Sequence, residues 1–374
     1  MEGAGRGCNL ERGANGSVLQ DGGWIRSGAG ASDPNMLKAI RIGMAAAAMC
    51  AAGLATGKAA WESRANQPPR KVVVASAQLR FTGTLEQRLE TFRRGFVEAA
   101  RKAAEQGKRL DLVVFPEFAL QREGESAEAQ AVGLEESVVT RLRGFVREQG
   151  AWTVVPVTLR EEDGRCSNAA VLFDRAGEVA GVFRKVHPVE DPDGRFEAGV
   201  TPGDAYPVFE CDFGKLGILI CWDMSYPEAW AEVAKAGAEI VALPTASPQT
   251  LRPAAEALRH HYHVATSTMR NNASLFDPVG RTIAQITEPG MLVHEIDLAY
   301  AILHWSPTLH EGRALTERYG DKVGGTYSSR EDTGVFWSND PKITIGEMAR
   351  ELGLHEMPAE IERMERARLR AAGR

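Results

Sequence analysis

Short, wholly apolar runs recur along the chain from residue 71 onward: Val72-Val73-Val74-Ala75, Leu112-Val113-Val114-Phe115, and the stretches 216–220 and 240–243. Runs of four or five such residues are too short to span a membrane and read as strands buried on both faces. Residues 152–159 and 292–296 read as further strands. Between the runs lie segments with helical spacing. Leu85, Leu89, Phe92 and Phe96 form one, closed by Gly107; others cover 134–146, 227–236 and a stretch around 254–263. Two strand pairs fold back on themselves: 169–173 with 179–183 through Asp174-Arg175-Ala176-Gly177, and 273–284 through Asp277-Pro278-Val279-Gly280. Strand–helix alternation interrupted by hairpins predicts a layered α/β domain with mixed sheets over about residues 71–300, rather than a purely parallel sheet.

The flanks have a different character. Residues 1–35 are glycine-rich with no apolar period, cannot bury a core, and are expected to be disordered or a non-native leader. From Met36 a short basic segment is followed by an alanine-rich apolar run over 42–56, and Ala55-Thr56-Gly57 offers small residues for cleavage. That order predicts a signal peptide over 36–60. The protein is then exported, periplasmic or extracellular, if translation starts at Met36 and the signal is removed, and cytoplasmic otherwise. An alanine-rich amphipathic helix that stays attached is the alternative. Residues 61–70 read as a polar linker. Residues 301–374 read as an extension packing on the domain or on a dimer partner: an irregular, aromatic-bearing stretch, then a charged helix over about 358–370. The segment 331–340 reads as a strap, or alternatively as a substrate lid.

A hydrophobic share of 44% and a charged share of 25% are ordinary for a globular core, and the net charge of −6 carries no dominant basic patch. Nucleic acid is therefore not an expected partner. The five cysteines, Cys8, Cys50, Cys166, Cys211 and Cys221, include no C-x-x-C pair, and their odd number argues against a disulfide framework.

Three polar residues stand where buried strands end. Glu117 follows the second strand, Lys185 closes the first hairpin, and Cys221 closes the strand over 216–220. Strand ends of α/β sheets are where ligands usually bind. A carboxylate, an ammonium and a thiol converging there suit acyl transfer. The thiol is mostly neutral at pH 7, so a neighbouring carboxylate takes its proton as attack begins. The ammonium and the backbone N–H after the nucleophile hold charge developing on the carbonyl oxygen. Singly, each has a plainer role: a turn cap, a solvated strand end, a packed cysteine. Their joint placement favours chemistry.

The segments Phe115-Pro116-Glu117, Arg184-Lys185-Val186-His187 and Cys221-Trp222-Asp223-Met224-Ser225-Tyr226-Pro227-Glu228 resemble the nitrilase, or carbon–nitrogen hydrolase, superfamily in its Glu-Lys-Cys order. Ala75-Ser76-Ala77-Gln78, Asn168, Phe196-Glu197-Ala198-Gly199 with Pro202-Gly203, Asp277-Pro278-Val279-Gly280 and Ile296-Asp297-Leu298 add to the resemblance, which covers about 71–300. It implies a four-layer α-β-β-α sandwich that dimerises. It further implies that Glu117 deprotonates Cys221, which attacks an amide, carbamoyl or nitrile carbon to form a thioester, with Lys185 and the Trp222 N–H at the oxyanion. Glu197 is the candidate for the second glutamate such proteins often carry. Glu190 competes for that role, and simple pairing of Glu197 with Arg195 is the alternative. His187 and Tyr226, in the matching segments, are candidates for the substrate pocket. Nitrilases usually read Cys-Trp-Glu. Cys221-Trp222-Asp223 followed by Tyr226-Pro227-Glu228 resembles the amidase and carbamoylase branches instead.

The expected activity is thus hydrolysis of a non-peptide carbon–nitrogen bond in a small amide, with no cofactor, no metal and no stable membrane span. N-carbamoyl hydrolysis or nitrile hydrolysis is the alternative. Two other classes stay open: a Cys-His enzyme using His187 or His263, and a binding protein that keeps the fold without catalysis. His260, His261 and His263 do not share a metal-ligand spacing; His260 or His261 could border the substrate pocket.

Overall fold

A computed structural model describes residues 64–121 and 124–373. The expected leader and signal segments and the start of the expected linker lie outside the described residues. In chain order the main body contains β1 (Lys71–Gln78), α1 (Leu85–Glu105), β2 (Leu112–Val114), α2 (Ser137–Gln149), β3 (Trp152–Arg160), β4 (Cys166–Phe173) and β5 (Val179–Arg184). It continues with β6 (Val208–Cys211), β7 (Gly214–Ile218), α3 (Pro227–Lys235), β8 (Ile240–Thr245), α4 (Leu251–His260), β9 (His263–Thr268), β10 (Ala273–Phe276), β11 (Thr282–Ile286) and β12 (Gly290–Asp297).

The strands fall into two halves of like design. One runs β5-β4-β3-β2-β1-β12 and the other β6-β7-β8-β9-β10-β11, joined where Gln78 of β1 pairs with Thr268 of β9. In each half the central strands are parallel and the edges antiparallel. The two-residue period of a strand decides which side chain faces which layer. Val72, Val74, Leu112, Val114 and Val154 share a core with Ile218, Val241 and Val264 of the second half. The intervening Val73, Ala75, Val113 and Val155 face the other way, onto Leu89, Phe92 and Phe96 of α1 and Leu142 and Val146 of α2. Trp230 and Val233 of α3 cover the second half, where a Cβ on Gly217 would sit 3.2 Å from Val233. The architecture is the four-layer α-β-β-α sandwich with mixed sheets. Because strands buried on both faces carry no polar side, their apolar runs were recognisable in sequence.

Several boundaries differ from expectation. The helix expected around 254–263 stops at His260. His261 takes a left-handed φ of 54° and donates its N–H to the Ala257 carbonyl, a helix-ending arrangement, and His263 opens β9. The helix expected from 134 begins at Ser137. Strand β6, with Glu210 exposed and no fully buried position, has no apolar run to announce it.

The expected linker is packed from Arg64 onward. The buried Arg64 guanidinium donates to the carbonyls of His261 (2.7 Å) and Ala238 (2.9 Å) and to the Tyr300 hydroxyl (2.6 Å). The C-terminal stretch is also not irregular. β13 (Tyr300–His304), β15 (Thr333–Ser338) and β14 (Val323–Ser328) form an antiparallel sheet in that spatial order, with α5 (Arg313–Tyr319) and α6 (Ile345–Glu351) on its core. The charged helix is α7 (Met357–Ala371). Val323-Gly324-Gly325-Thr326-Tyr327-Ser328 reads as loop because glycine is disfavoured in strands. Here the glycines are needed: a Cβ on Gly324 would lie 2.2 Å from the Trp337 indole, and one on Gly325 would lie 2.3 Å from the Phe336 ring. Lys71 sits 5.2 Å from the Trp337 ring centre and bonds Asn339, tying this sheet to β1.

Candidate active site

Strand ends from both halves of the sandwich bring the chemistry-bearing residues together. Glu117 lies three residues past β2 and is fully buried. Its Oε1 accepts from Lys185 Nζ at 2.8 Å and from Asn168 Nδ2 at 3.0 Å, and its Oε2 accepts from the Ala246 backbone N–H at 3.1 Å. Lys185 is the residue after β5 and is 2% exposed. Its backbone N–H donates to the Asn168 carbonyl across the β4–β5 ladder, so strand pairing fixes both side chains at one level. Lys185 Nζ also pairs with Glu197 Oε1, so one ammonium lies between two carboxylates. Asn168 Nδ2 reaches the same two carboxylates, at 2.7 Å from Glu197 Oε2. Glu197 accepts in addition from the Val189 N–H at 3.0 Å. Burial opposes the Lys185 charge, but Glu117 and Glu197 outweigh it and hold the ammonium above the ordinary lysine range.

Cys221 opens a 3-10 turn, Cys221–Ser225, after β7. Its φ of 45° is left-handed, a strained choice for a residue with a side chain. The first N–H groups of such a turn have no partner within it, and that of Trp222 is among them; the Trp222 side chain is 42% exposed. The thiol lies within the influence of Thr245, the Glu117 carboxylate and the Lys185 ammonium. Burial and the Glu117 carboxylate push it up to about 12, against the opposing pull of Lys185. It is therefore neutral at pH 7, with a carboxylate at hand to take its proton.

The remaining candidates fall in different places. Glu197, not Glu190, reaches Lys185; Glu190 forms a backbone bridge with Phe196, and Arg195 bonds Asp193 rather than Glu197. The His187 ring stacks on Tyr226 with centroids 3.5 Å apart, and its Nδ1 meets the Tyr206 hydroxyl at 3.1 Å and Asp223 Oδ1 at 3.3 Å. His263 is buried in β9, edge-on to Tyr300, and burial drives its pKa down to about 3. His260 stacks on Tyr262, and His261 Nδ1 meets the Pro278 carbonyl at 3.0 Å. Among the described residues no group of three or more His, Cys, Asp or Glu side chains could hold a metal ion. None of their helices is long and apolar enough to cross a membrane.

Sequence reasoning did not single out Asn168, Thr245 or the Ala246 N–H as parts of this site. Asn168 had a legible signal: an amide within Cys166-Ser167-Asn168-Ala169-Ala170-Val171-Leu172-Phe173, a strand buried throughout, must find partners. A cavity of about 750 Å³ borders Asn168 and Glu197 and extends to Gln121 and Arg80. Gly203 holds the Lys185 strand from behind, donating its N–H to the Lys185 carbonyl at 2.8 Å, while an added Cβ would lie 2.4 Å from the Arg184 carbonyl oxygen. Gly203→Ala must therefore push the Lys185 backbone away. The expected result is a roughly tenfold or greater loss of turnover with little change in unfolding temperature, since small displacements at a reacting centre are costly. Unaltered turnover would refute it.

The profile of the carbon–nitrogen hydrolase family matches residues 73–303. The chain belongs to the carbon–nitrogen hydrolase family. Among curated relatives, it is 34% identical to N-carbamoylputrescine amidase of Solanum tuberosum over 110 residues, 29% of this chain and 36% of that one. It is 28% identical to citrullinase of Francisella tularensis over 47% of this chain and 61% of that one, and 28% identical to an omega-amidase of Xenopus tropicalis over 50% and 71%. The match thus spans little more than a third of the first of these. Among solved structures, a carbon–nitrogen hydrolase from Helicobacter pylori shares the fold at a TM-score of 0.56 and 21% identity, covering 61% of this chain and 90% of that one. An amidase from Nesterenkonia sp. aligns at a TM-score of 0.51 and 26% identity, over 61% and 90%.

Proposed function

We propose that the protein hydrolyses the carbon–nitrogen bond of a small amide through a thioester on Cys221. The observation that carries this reading is a buried, neutral thiol under the influence of the Glu117 carboxylate, whose Oε1 accepts from a buried ammonium. Glu117 takes the thiol proton as sulfur attacks the carbonyl carbon, a role worth about a hundred- to ten-thousand-fold in general base catalysis. The carbonyl oxygen becomes an oxyanion held by Lys185 and the Trp222 N–H. The proton on Glu117 passes to the departing nitrogen, ammonia leaves, and the thioester remains. Glu117 then takes a proton from water, hydroxide adds to the thioester, and the carboxylic acid departs as the thiol is restored. Glu197 keeps Lys185 charged and faces the substrate amide.

The relatives support this substrate class: their names describe amidases and a citrullinase. Further support comes from a variant of the Nesterenkonia amidase with glutamate replaced by glutamine. It carries the acetamide moiety of fluoroacetamide covalently on its active-site cysteine, at a TM-score of 0.51 and 25% identity. Cleavage of N-carbamoyl compounds is the second reading, favoured by the carbamoylputrescine amidase match.

Ammonia release measured over small amides, N-carbamoyl amino acids, ureido compounds and nitriles should show turnover of amides or ureido compounds, abolished by Cys221→Ser. Turnover of nitriles alone would overturn the amide reading. No turnover, with a Cys221 inert to iodoacetamide, would favour a non-catalytic protein.

A further inference from the structure

The nucleophile and the oxyanion lysine belong to different sheet halves, so something must keep them in register. Asp223 lies two residues past Cys221 and is fully buried. Its Oδ2 accepts from the backbone N–H of Ile220, the residue before the nucleophile, at 3.0 Å. Its Oδ1 accepts from the backbone N–H of His187, two residues past Lys185, at 2.8 Å. One carboxylate thereby bridges the Cys221 turn and the Lys185 segment. A second link runs the other way: Tyr226, at the end of the turn, lies flat on the His187 ring with an interplanar angle of 9°. Tyr206 steadies that ring from the opposite chain segment.

We infer that Asp223 is a positioning residue that locks the strained Cys221 turn to the strand end carrying Lys185. The argument rests on donor and acceptor inventory. Two of the three groups presented to Asp223 are backbone N–H donors that cannot reorient, one on each oxygen; the third, His187 Nδ1, lies farther off, 3.3 Å from Oδ1. Only a carboxylate offers two acceptor oxygens to two fixed donors; an amide of the same shape turns its NH₂ against one of them. A residue held in the left-handed region persists only where its surroundings over-determine it, and the Asp223–Ile220 bond grips the residue next to that strain. With the bridge lost, the thiol and ammonium drift relative to Glu117, and displacements of about 1 Å at a reacting centre cost on the order of a hundredfold.

This inference rests on the amide-hydrolase reading for its kinetic arm only. Asp223→Asn is expected to lower kcat about a hundredfold with KM within threefold of the parent. Asp223→Glu, which keeps the charge and both acceptors but moves them by a methylene, should lose about tenfold. Alkylation of Cys221 by iodoacetamide, followed against pH on the intact chain, needs no substrate. Its midpoint should fall in Asp223→Asn toward the ordinary thiol value near 8.5, because the sulfur leaves its place beside Glu117. A Glu variant with the parent's kcat and alkylation profile overturns the inference. So does a loss confined to KM, or one that merely tracks the loss of folded protein. If the parent hydrolyses no amide yet the Asn variant shifts the alkylation profile, the functional reading fails and the positioning role stands.

Discussion

Lys185→Met is expected to cut turnover by at least about a thousandfold and to destabilise the fold by roughly 3–5 kcal/mol. The kinetic part follows from losing the proposed oxyanion donor, a change costing on the order of a hundred- to a thousandfold, together with disturbance of Glu117. The stability part follows from what stays behind. Glu117 and Glu197 both bond the same Nζ; Glu117 is fully buried and the Glu197 side chain is 10% exposed. Methionine fills the volume but leaves two carboxylates facing each other, and breaking a buried pair by removing one partner costs about this much. The pH dependence has a definite sign. In the parent the ammonium titrates above the unfolded lysine value, so its contribution is complete at neutral pH and is lost only in strong alkali, as pH rises through the folded value. In the variant, protonating a carboxylate relieves the repulsion, so the folded state binds more protons than the unfolded one and stability increases toward acid. Urea unfolding of both proteins at pH 5 and pH 8 measures this. A variant no less stable at pH 8 than at pH 5 would contradict the assigned contacts.

What could be read from the sequence follows from which signals survive without tertiary context. Val72–Ala75, Leu112–Phe115 and 240–243 were legible because strands buried on both faces need unbroken apolar runs. Glu117 and Cys221 stood out as candidates because each follows such a run; Lys185 follows β5, which is only partly buried. β14 was not, because its glycines answer to Trp337 and Phe336, which arrive from another strand. Arg64 looked like a linker residue, since a cation beside a polar stretch gives no hint that two carbonyls and a tyrosine wait for it. The partners of the site were harder still. The Ala246 N–H is a backbone donor with no sequence signature, and Asp223 reads as a motif residue until its two backbone donors are seen on different chain segments. The thiol's environment lies at the same level. Nothing local to Cys221 reveals that burial and Glu117 keep it protonated.

That last point separates the proposed mechanism from its closest rival. Glu117→Gln should lower kcat/KM by about a thousandfold or more, whereas His187→Ala should cost no more than about tenfold. A thiol pushed up to about 12 carries no useful thiolate fraction at pH 7, so a base must act in the same step as sulfur attack, and acid–base catalysis is typically worth a hundred- to ten-thousand-fold. Glutamine cannot accept that proton. It also fails electrostatically: Lys185 Nζ, Asn168 Nδ2 and the Ala246 N–H all donate to the Glu117 carboxylate, so either orientation of the new amide turns its NH₂ toward a donor. The His187 ring is engaged by Tyr226, Tyr206 and Asp223. The backbone N–H through which His187 meets Asp223 survives replacement by alanine, leaving the stacking on Tyr226 and the Nδ1 contacts with Tyr206 and Asp223 to be lost. Single-turnover kinetics on the best amide from the ammonia screen would separate acylation from hydrolysis of the thioester. Both should slow in Glu117→Gln, because in the proposed mechanism the same carboxylate serves both halves of the reaction. If His187→Ala abolishes turnover while Glu117→Gln retains it, the nucleophile is served by a Cys-His pair and the Glu117 assignment falls.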